Sequence, residues 1–166
     1  GEFNTSESLA QEINDMWQAN IAVDTIIPHR ATPVIPYVIF TGGEPLLQLD
    51  EELIQNMRKQ GFEIAIESNG TLPLPKGVDW VCLSPKVNAD LMVMQADEIK
   101  LVVPQIEHQP IETTLHRFEG MDFRHRYLQP MDGPQLRENT AYAVELCQKH
   151  PLWRLSVQTH KMIGIQ

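Results

Sequence analysis

Apolar residues recur along this chain with two alternating periods. Leu9, Ile13, Met16 and Trp17 fall at helical spacing and predict a helix over residues 6–20, with Ser8 and Gln11 spaced as a capping box. Residues 24–36 carry prolines at 28, 33 and 36 and little periodicity, so they read as a connecting loop. Beyond it, short apolar runs trade places with amphipathic ones. Strands are expected over residues 37–40, 62–67, 80–83, 98–103, from 126–128, and over 153–157. Helices are expected over 50–59, stopped by Gly61, then over 112–118 and 137–149. Trp80, Trp153 and Leu155 read as core, and Cys82 and Cys147 as buried, apolar-like side chains.

Strands alternating with helices make an α/β fold in which helices cover a mostly parallel sheet. The elements are too few to close eight repeats, so an incomplete (β/α) barrel is the expected architecture, within one domain spanning residues 1–166. In such sheets ligands sit just beyond the C-terminal ends of the strands. Those ends read Thr41-Gly42-Gly43-Glu44, Glu67-Ser68-Asn69-Gly70-Thr71, Ser84-Pro85-Lys86, Lys100, Gln129-Pro130-Met131-Asp132 and Gln158-Thr159-His160-Lys161. Singly, each has an ordinary explanation. Asn-Gly is a turn pair, Ser-Pro a common loop start, and Asp132 before Gly133-Pro134 a good turn residue. Lys86 and Lys100 also suit a solvated surface, and His160 a structural hydrogen bond. Together they describe a polar rim of ligand size.

Composition narrows the classes. A length of 166 residues with 42% hydrophobic and 21% charged content suits a soluble globular domain. No apolar run reaches bilayer length, and no signal peptide opens the sequence. The formal charge of −9, from 22 acidic and 13 basic residues, argues against direct nucleic-acid binding. Two lone cysteines make no disulfide framework, so a cytoplasmic setting is expected. The histidines at 29, 108, 116, 125 and 150 show no metal-ligand spacing. Gly1-Glu2-Phe3 reads equally as a cloning remnant or as native sequence.

The sharpest chemical signal is Tyr37-Val38-Ile39-Phe40-Thr41-Gly42-Gly43-Glu44-Pro45, a short apolar strand delivering two glycines, a carboxylate and a proline together. Paired glycines let a ligand come close to backbone. The stretch resembles the GGEP motif of radical S-adenosylmethionine (SAM) enzymes. Adding Glu67–Thr71, Leu83–Lys86, Glu98–Pro104, Leu128–Pro134 and Trp153–Ile165, the sequence from about Val38 to Gln166 is similar to the 7-carboxy-7-deazaguanine synthase family. That resemblance implies an abbreviated radical SAM barrel. It also implies conversion of 6-carboxy-5,6,7,8-tetrahydropterin to 7-carboxy-7-deazaguanine, on the route to the modified tRNA nucleoside queuosine. The cofactors implied are SAM, a [4Fe–4S] cluster and Mg²⁺. The partners implied are the pterin, an electron donor such as flavodoxin, and a second copy of the chain, which would cover exposed sheet edges.

Carried over by motif, Gly43 and Glu44 would meet the methionine end of SAM. Ser84, Pro85 and Lys86 would line the cofactor, with Ser68 and Asn69 as further candidates, and Gln129, Pro130, Met131 and Asp132 would close around its adenosyl side. Thr41, His160 and the terminal carboxylate of Gln166 would bind the pterin. One part of the family pattern has no counterpart. Its three closely spaced cluster cysteines, with the metal-binding Thr that follows them, lie ahead of the GGEP motif, whereas Cys82 and Cys147 lie after it and far apart. The expectation is a fragment lacking the cluster-binding part and therefore inactive alone. The alternative is a cluster-free, non-catalytic module that binds a SAM-like or pterin-like ligand.

Overall fold

A computed structural model describes residues 5–20, 34–86, 89–105 and 110–165. Among them six strands form one sheet whose spatial order is the chain order, and the registered neighbours are parallel. The strands are β1 (Tyr37–Phe40), β2 (Glu63–Ser68), β3 (Trp80–Leu83), β4 (Gln95–Val103), β5 (Asp122–Pro130) and β6 (Arg154–Leu155). The helices are α1 (Ser6–Asn20), α2 (Glu51–Lys59), α3 (Ile111–Glu119), α4 (Leu136–Lys149) and α5 (Thr159–Ile163). A single 3₁₀ turn, Pro45–Leu47, follows β1. The α/β class and the parallel sheet are as the periodicity predicts. Most of the expected loop over residues 24–36 lies outside the described residues, as do Gly1-Glu2-Phe3, His29 and His108.

Contacts gather into two compact units. One comprises Gly1–Glu67 with Leu74–Trp80, and the other Ser68–Pro73 with Val81–Gln166.

In the first unit, α1 starts where expected but is capped one turn earlier than Ser8 and Gln11 suggested. The Ser8 N–H donates to Thr5 Oγ1 at 3.1 Å and the Thr5 N–H returns to Ser8 Oγ at 3.3 Å, while Gln11 reaches forward to Asp15. Helix α2 is capped by Asp50, whose Oδ1 accepts from the Leu53 N–H at 2.8 Å, and buries Leu53, Ile54 and Met57. That face sits at helical spacing, and the glutamates of its first turn and Arg58 and Lys59 of its last suit the helix dipole. Gly61, at φ +86°, ends the turn that leads into β2.

In the second unit, β4 and β5 are each nine residues long, longer than expected. Their early residues look polar because many are half-exposed, which hides the strand from a hydrophobic pattern. Strand β6 is shorter than expected at two residues, and Leu155 faces outward, correcting its reading as core. Trp153 just before it is buried, as expected. Its indole N–H donates to Glu119 Oε1 at 3.2 Å, while Glu119 Oε2 meets His116 Nδ1 at 2.9 Å and Oε1 lies 3.5 Å from His150 Nδ1. One carboxylate thereby links the end of α3, the cap of α4 and the entry to β6.

A device recurs at the strand starts. Asp79 Oδ2 accepts from the Ile64 N–H at 2.9 Å, and its other oxygen pairs with Arg58. Asp97 Oδ2 accepts from the Val81 N–H at 2.9 Å, and its other oxygen lies 3.1 Å from Arg124. Each carboxylate satisfies a backbone donor early in the preceding strand and is itself neutralised by an arginine.

Candidate functional site

In the first unit, β1 runs into Thr41, Gly42 and Gly43, all exposed. Gly42 (φ +87°) and Gly43 (φ +57°) both occupy the left-handed region, and a Cβ built on either would meet nothing within 4 Å. The backbone conformation demands glycine here, and the space beside it stays open. Glu44 is the cap of the 3₁₀ turn, its Oε1 accepting from the Leu46 N–H at 3.1 Å. Pro45 at the first position of that turn fixes the chain direction. The carboxylate is thus oriented by its own backbone, and a carboxylate has capacity beyond one accepted bond.

In the second unit, the buried Ser68 holds the turn after β2. Its Oγ accepts from the Gly70 N–H at 3.0 Å and its carbonyl accepts from the Ser84 N–H at 2.7 Å. Asn69 Oδ1 accepts from the Thr71 N–H at 2.9 Å and from its hydroxyl at 2.7 Å. Both side chains therefore build the Ser68–Thr71 turn. Gly70 (φ +78°) packs so closely that a Cβ would overlap Leu83 Cδ1. Ser84 is half-buried, Pro85 buried and Lys86 exposed. Pro85 and Lys86 line a cavity of about 350 Å³ with Leu101, Pro104, Arg117 and Tyr142 among its other walls.

At the end of β5, Gln129 is half-buried and Pro130 buried, and just beyond it Met131 is half-buried and Asp132 exposed. The Met131 N–H donates to the Val103 carbonyl at 2.7 Å, and its carbonyl accepts from Asn139 Nδ2 at 2.9 Å. Asp132 pairs with Lys161, whose hydrogen bond, with one from the Gly133 N–H, holds the carboxyl below its ordinary value. Pro130 and Asp132 border a second cavity of about 210 Å³ floored by Leu136, Val157 and Met162.

His160 follows β6 and sits exposed in α5, a short helix closed by Gly164 at φ +73°. Gln166 lies outside the described residues. Asn139 and Lys161 escaped the sequence reading as partners of the β5 turn. A polar residue at the head of the apolar stripe Asn139, Ala143, Leu146 was the available signal for Asn139.

Neither cysteine suits a cluster, although Cys147, expected to be buried, is only half-buried. Cys82 is buried in β3, and burial pushes the Cys147 thiol on α4 up, away from the thiolate that iron needs. Among the described residues, no group of three or more His, Cys, Asp or Glu is arranged to hold a metal ion, and no helix is long and apolar enough to cross a membrane.

No family model matches the chain. It is 47% identical over 165 residues to the 7-carboxy-7-deazaguanine synthase of Bordetella pertussis, covering 99% of this chain and 70% of that protein. It is 53% identical over 130 residues to the synthase of Bradyrhizobium diazoefficiens, of which it spans 60%. Its fold superposes on the crystal structure of QueE from Escherichia coli with a TM-score of 0.66 at 27% identity, covering 93% of this chain and 63% of that one. A parallel sheet laid out in chain order, with Thr-Gly-Gly-Glu-Pro after its first strand, is an α/β fold of the radical SAM type. Within that class, the chain belongs to the 7-carboxy-7-deazaguanine synthase family.

Proposed function

We propose that this chain serves a carbon–nitrogen lyase that converts 6-carboxy-5,6,7,8-tetrahydropterin to 7-carboxy-7-deazaguanine in queuosine biosynthesis. The observation that carries the reading is 47% identity, sustained over 165 residues, to a synthase of that name. The enzyme would work in the cytoplasm as a homodimer, with an electron donor such as flavodoxin.

The residues fit SAM. Gly42 and Gly43 leave open space beside their backbone, and Glu44 presents a carboxylate already oriented by the Leu46 N–H. That carboxylate would pair with the ammonium of the methionine end. Ser84, Pro85 and Lys86 would line the cofactor, and Gln129, Pro130, Met131 and Asp132 would close on its adenosyl side. Ser68 and Asn69 contribute by shaping the turn after β2. When bound, SAM and its cluster supply the radical that starts the ring contraction. Among the described residues no group is arranged to hold a metal ion, and Cys82 and Cys147 lie far apart in sequence, so on this reading the cluster and Mg²⁺ would take ligands these residues do not supply, and the polypeptide by itself would be inactive.

The protein's own task is placement. The Thr41 hydroxyl and the His160 imidazole would hold the pterin by hydrogen bonds, fixing the target carbon against the cofactor while water is excluded. No side chain among these is required as an acid or base.

The test is Glu44→Gln in the full-length protein. Glutamine keeps an acceptor for Leu46 N–H and removes the charge. A charge-assisted bond is worth about 1.5–3 kcal/mol, so SAM affinity measured by calorimetry should fall more than about tenfold. Unchanged affinity would make Glu44 a turn residue only.

A further inference from the structure

Helix α4 turns Asn139, Ala143 and Leu146 inward, a spacing that puts all three on one face. Ala143 and Leu146 are what a core stripe needs. Asn139, only 8% exposed, is not. Asparagine is also a poor helix former, because its amide competes for backbone partners. A polar side chain near the start of a helix ordinarily caps it, yet the cap residue Gln135 makes no side-chain bond. The amide of Asn139 points instead at the turn in front of the helix, where Nδ2 donates to the Met131 carbonyl at 2.9 Å.

Met131 is held from the other side too, its N–H donating to the Val103 carbonyl at the end of β4. Both peptide groups of one residue are therefore fixed, one by the sheet and one by the helix. Asp132 follows directly, tied to Lys161 and to the Gly133 N–H. A turn whose only duty was to reverse the chain would not need anchoring from β4, α4 and α5 at once. We propose that Asn139 is a positioning residue for the Gln129–Asp132 segment at the end of β5. By gripping the Met131 carbonyl it fixes the segment that, on the reading given under Proposed function, closes around the adenosyl side of SAM.

The test uses the full-length protein with its cluster and compares Asn139→Ala, Asn139→Asp and Leu146→Ala. Leu146 lies on the same buried stripe and does not hydrogen-bond to the turn, so it reports what lost packing alone does. Asn139→Ala should weaken SAM binding at least about fivefold, the loss expected for one neutral buried hydrogen bond. Leu146→Ala should lower the thermal midpoint while leaving SAM affinity within about twofold of wild type, as sites without shared partners behave independently. The aspartate variant adds a pH signature. A neutral carboxylic acid can donate to the carbonyl and an ionised one cannot, so its SAM affinity should weaken as pH rises, with no matching trend in wild type. Asn139→Ala binding SAM as wild type does, with only its thermal midpoint lowered, would overturn the assignment. A wild-type protein that fails to bind SAM at all would overturn the underlying reading, and this proposal with it.

Discussion

Gly43 and Gly70 show how differently two glycines that follow strand ends can be constrained. At Gly43 only the backbone conformation excludes a side chain, so Gly43→Ala should cost about 1–2 kcal/mol, the usual penalty of a left-handed L-residue. At Gly70 the same strain is joined by overlap with the fully buried Leu83, and overpacking adds about 1–3 kcal/mol. Urea unfolding of the two variants should therefore rank Gly70→Ala as the more damaged, and equal losses would mean the space beside Gly43 is not open. The same scale shows what the sequence could reveal of the site. Thr41 to Pro45 was legible because its composition has no economical structural explanation. The bonds of Ser68 and Asn69 were not, because a serine that holds a turn and one that holds a ligand look alike in one dimension. The bond of Asn139 was hidden for another reason: its place on an apolar stripe shows in the sequence, but its partner lies eight residues away across a strand-to-helix junction.

Elements with a strong period and a chemical stop were readable nearly to the residue. Strand β1 and helix α1 have the expected bounds, and α2 starts one residue later than expected, at Glu51, with Asp50 as its cap. Replacing Asp50 with alanine should cost about 1 kcal/mol in a urea titration, the usual loss of an N-cap. Where polar residues start a strand, as in β4 and β5, the pattern failed, since one half-exposed face carries no apolar signature. Joints between elements were also hidden. Glu119 makes such a joint, and its carboxyl titrates below the ordinary glutamate value. Burial, the largest single influence, pushes it up, but hydrogen bonds from His116 and Trp153 with the charges of His116 and His150 outweigh that. A carboxyl whose pKa is depressed on folding stabilises the fold above its unfolded pKa, and that contribution is lost as pH falls through the folded value. Glu119→Gln should therefore melt below wild type at neutral pH, with the gap closing as pH drops below the ordinary glutamate range. A gap of constant size in pH-dependent thermal melts would remove the carboxylate's charge from the account.

For the molecule as a whole, the fold class was legible because strand–helix alternation leaves few arrangements, whereas the grouping of contacts into two units was not. Cysteine chemistry acts at this scale as well. With Cys82 buried in a strand and the Cys147 thiol raised by burial, the 166-residue polypeptide should take up no stoichiometric [4Fe–4S] cluster during anaerobic reconstitution. Iron and sulfide analysis with the cluster's charge-transfer absorbance decides this, and a stoichiometric cluster would sink the expectation.

Strand order equal to chain order has a consequence for how such a chain reaches its native state. Each strand pairs with the one made just before it, so every new pairing closes only the loop containing one connection. Parallel sheets are usually slow to form because distant segments must meet before contacts reward them. Here the meeting distance never accumulates. Assembly can advance from β1 toward β6 as the polypeptide leaves the ribosome, with each arriving strand finding its template already in place.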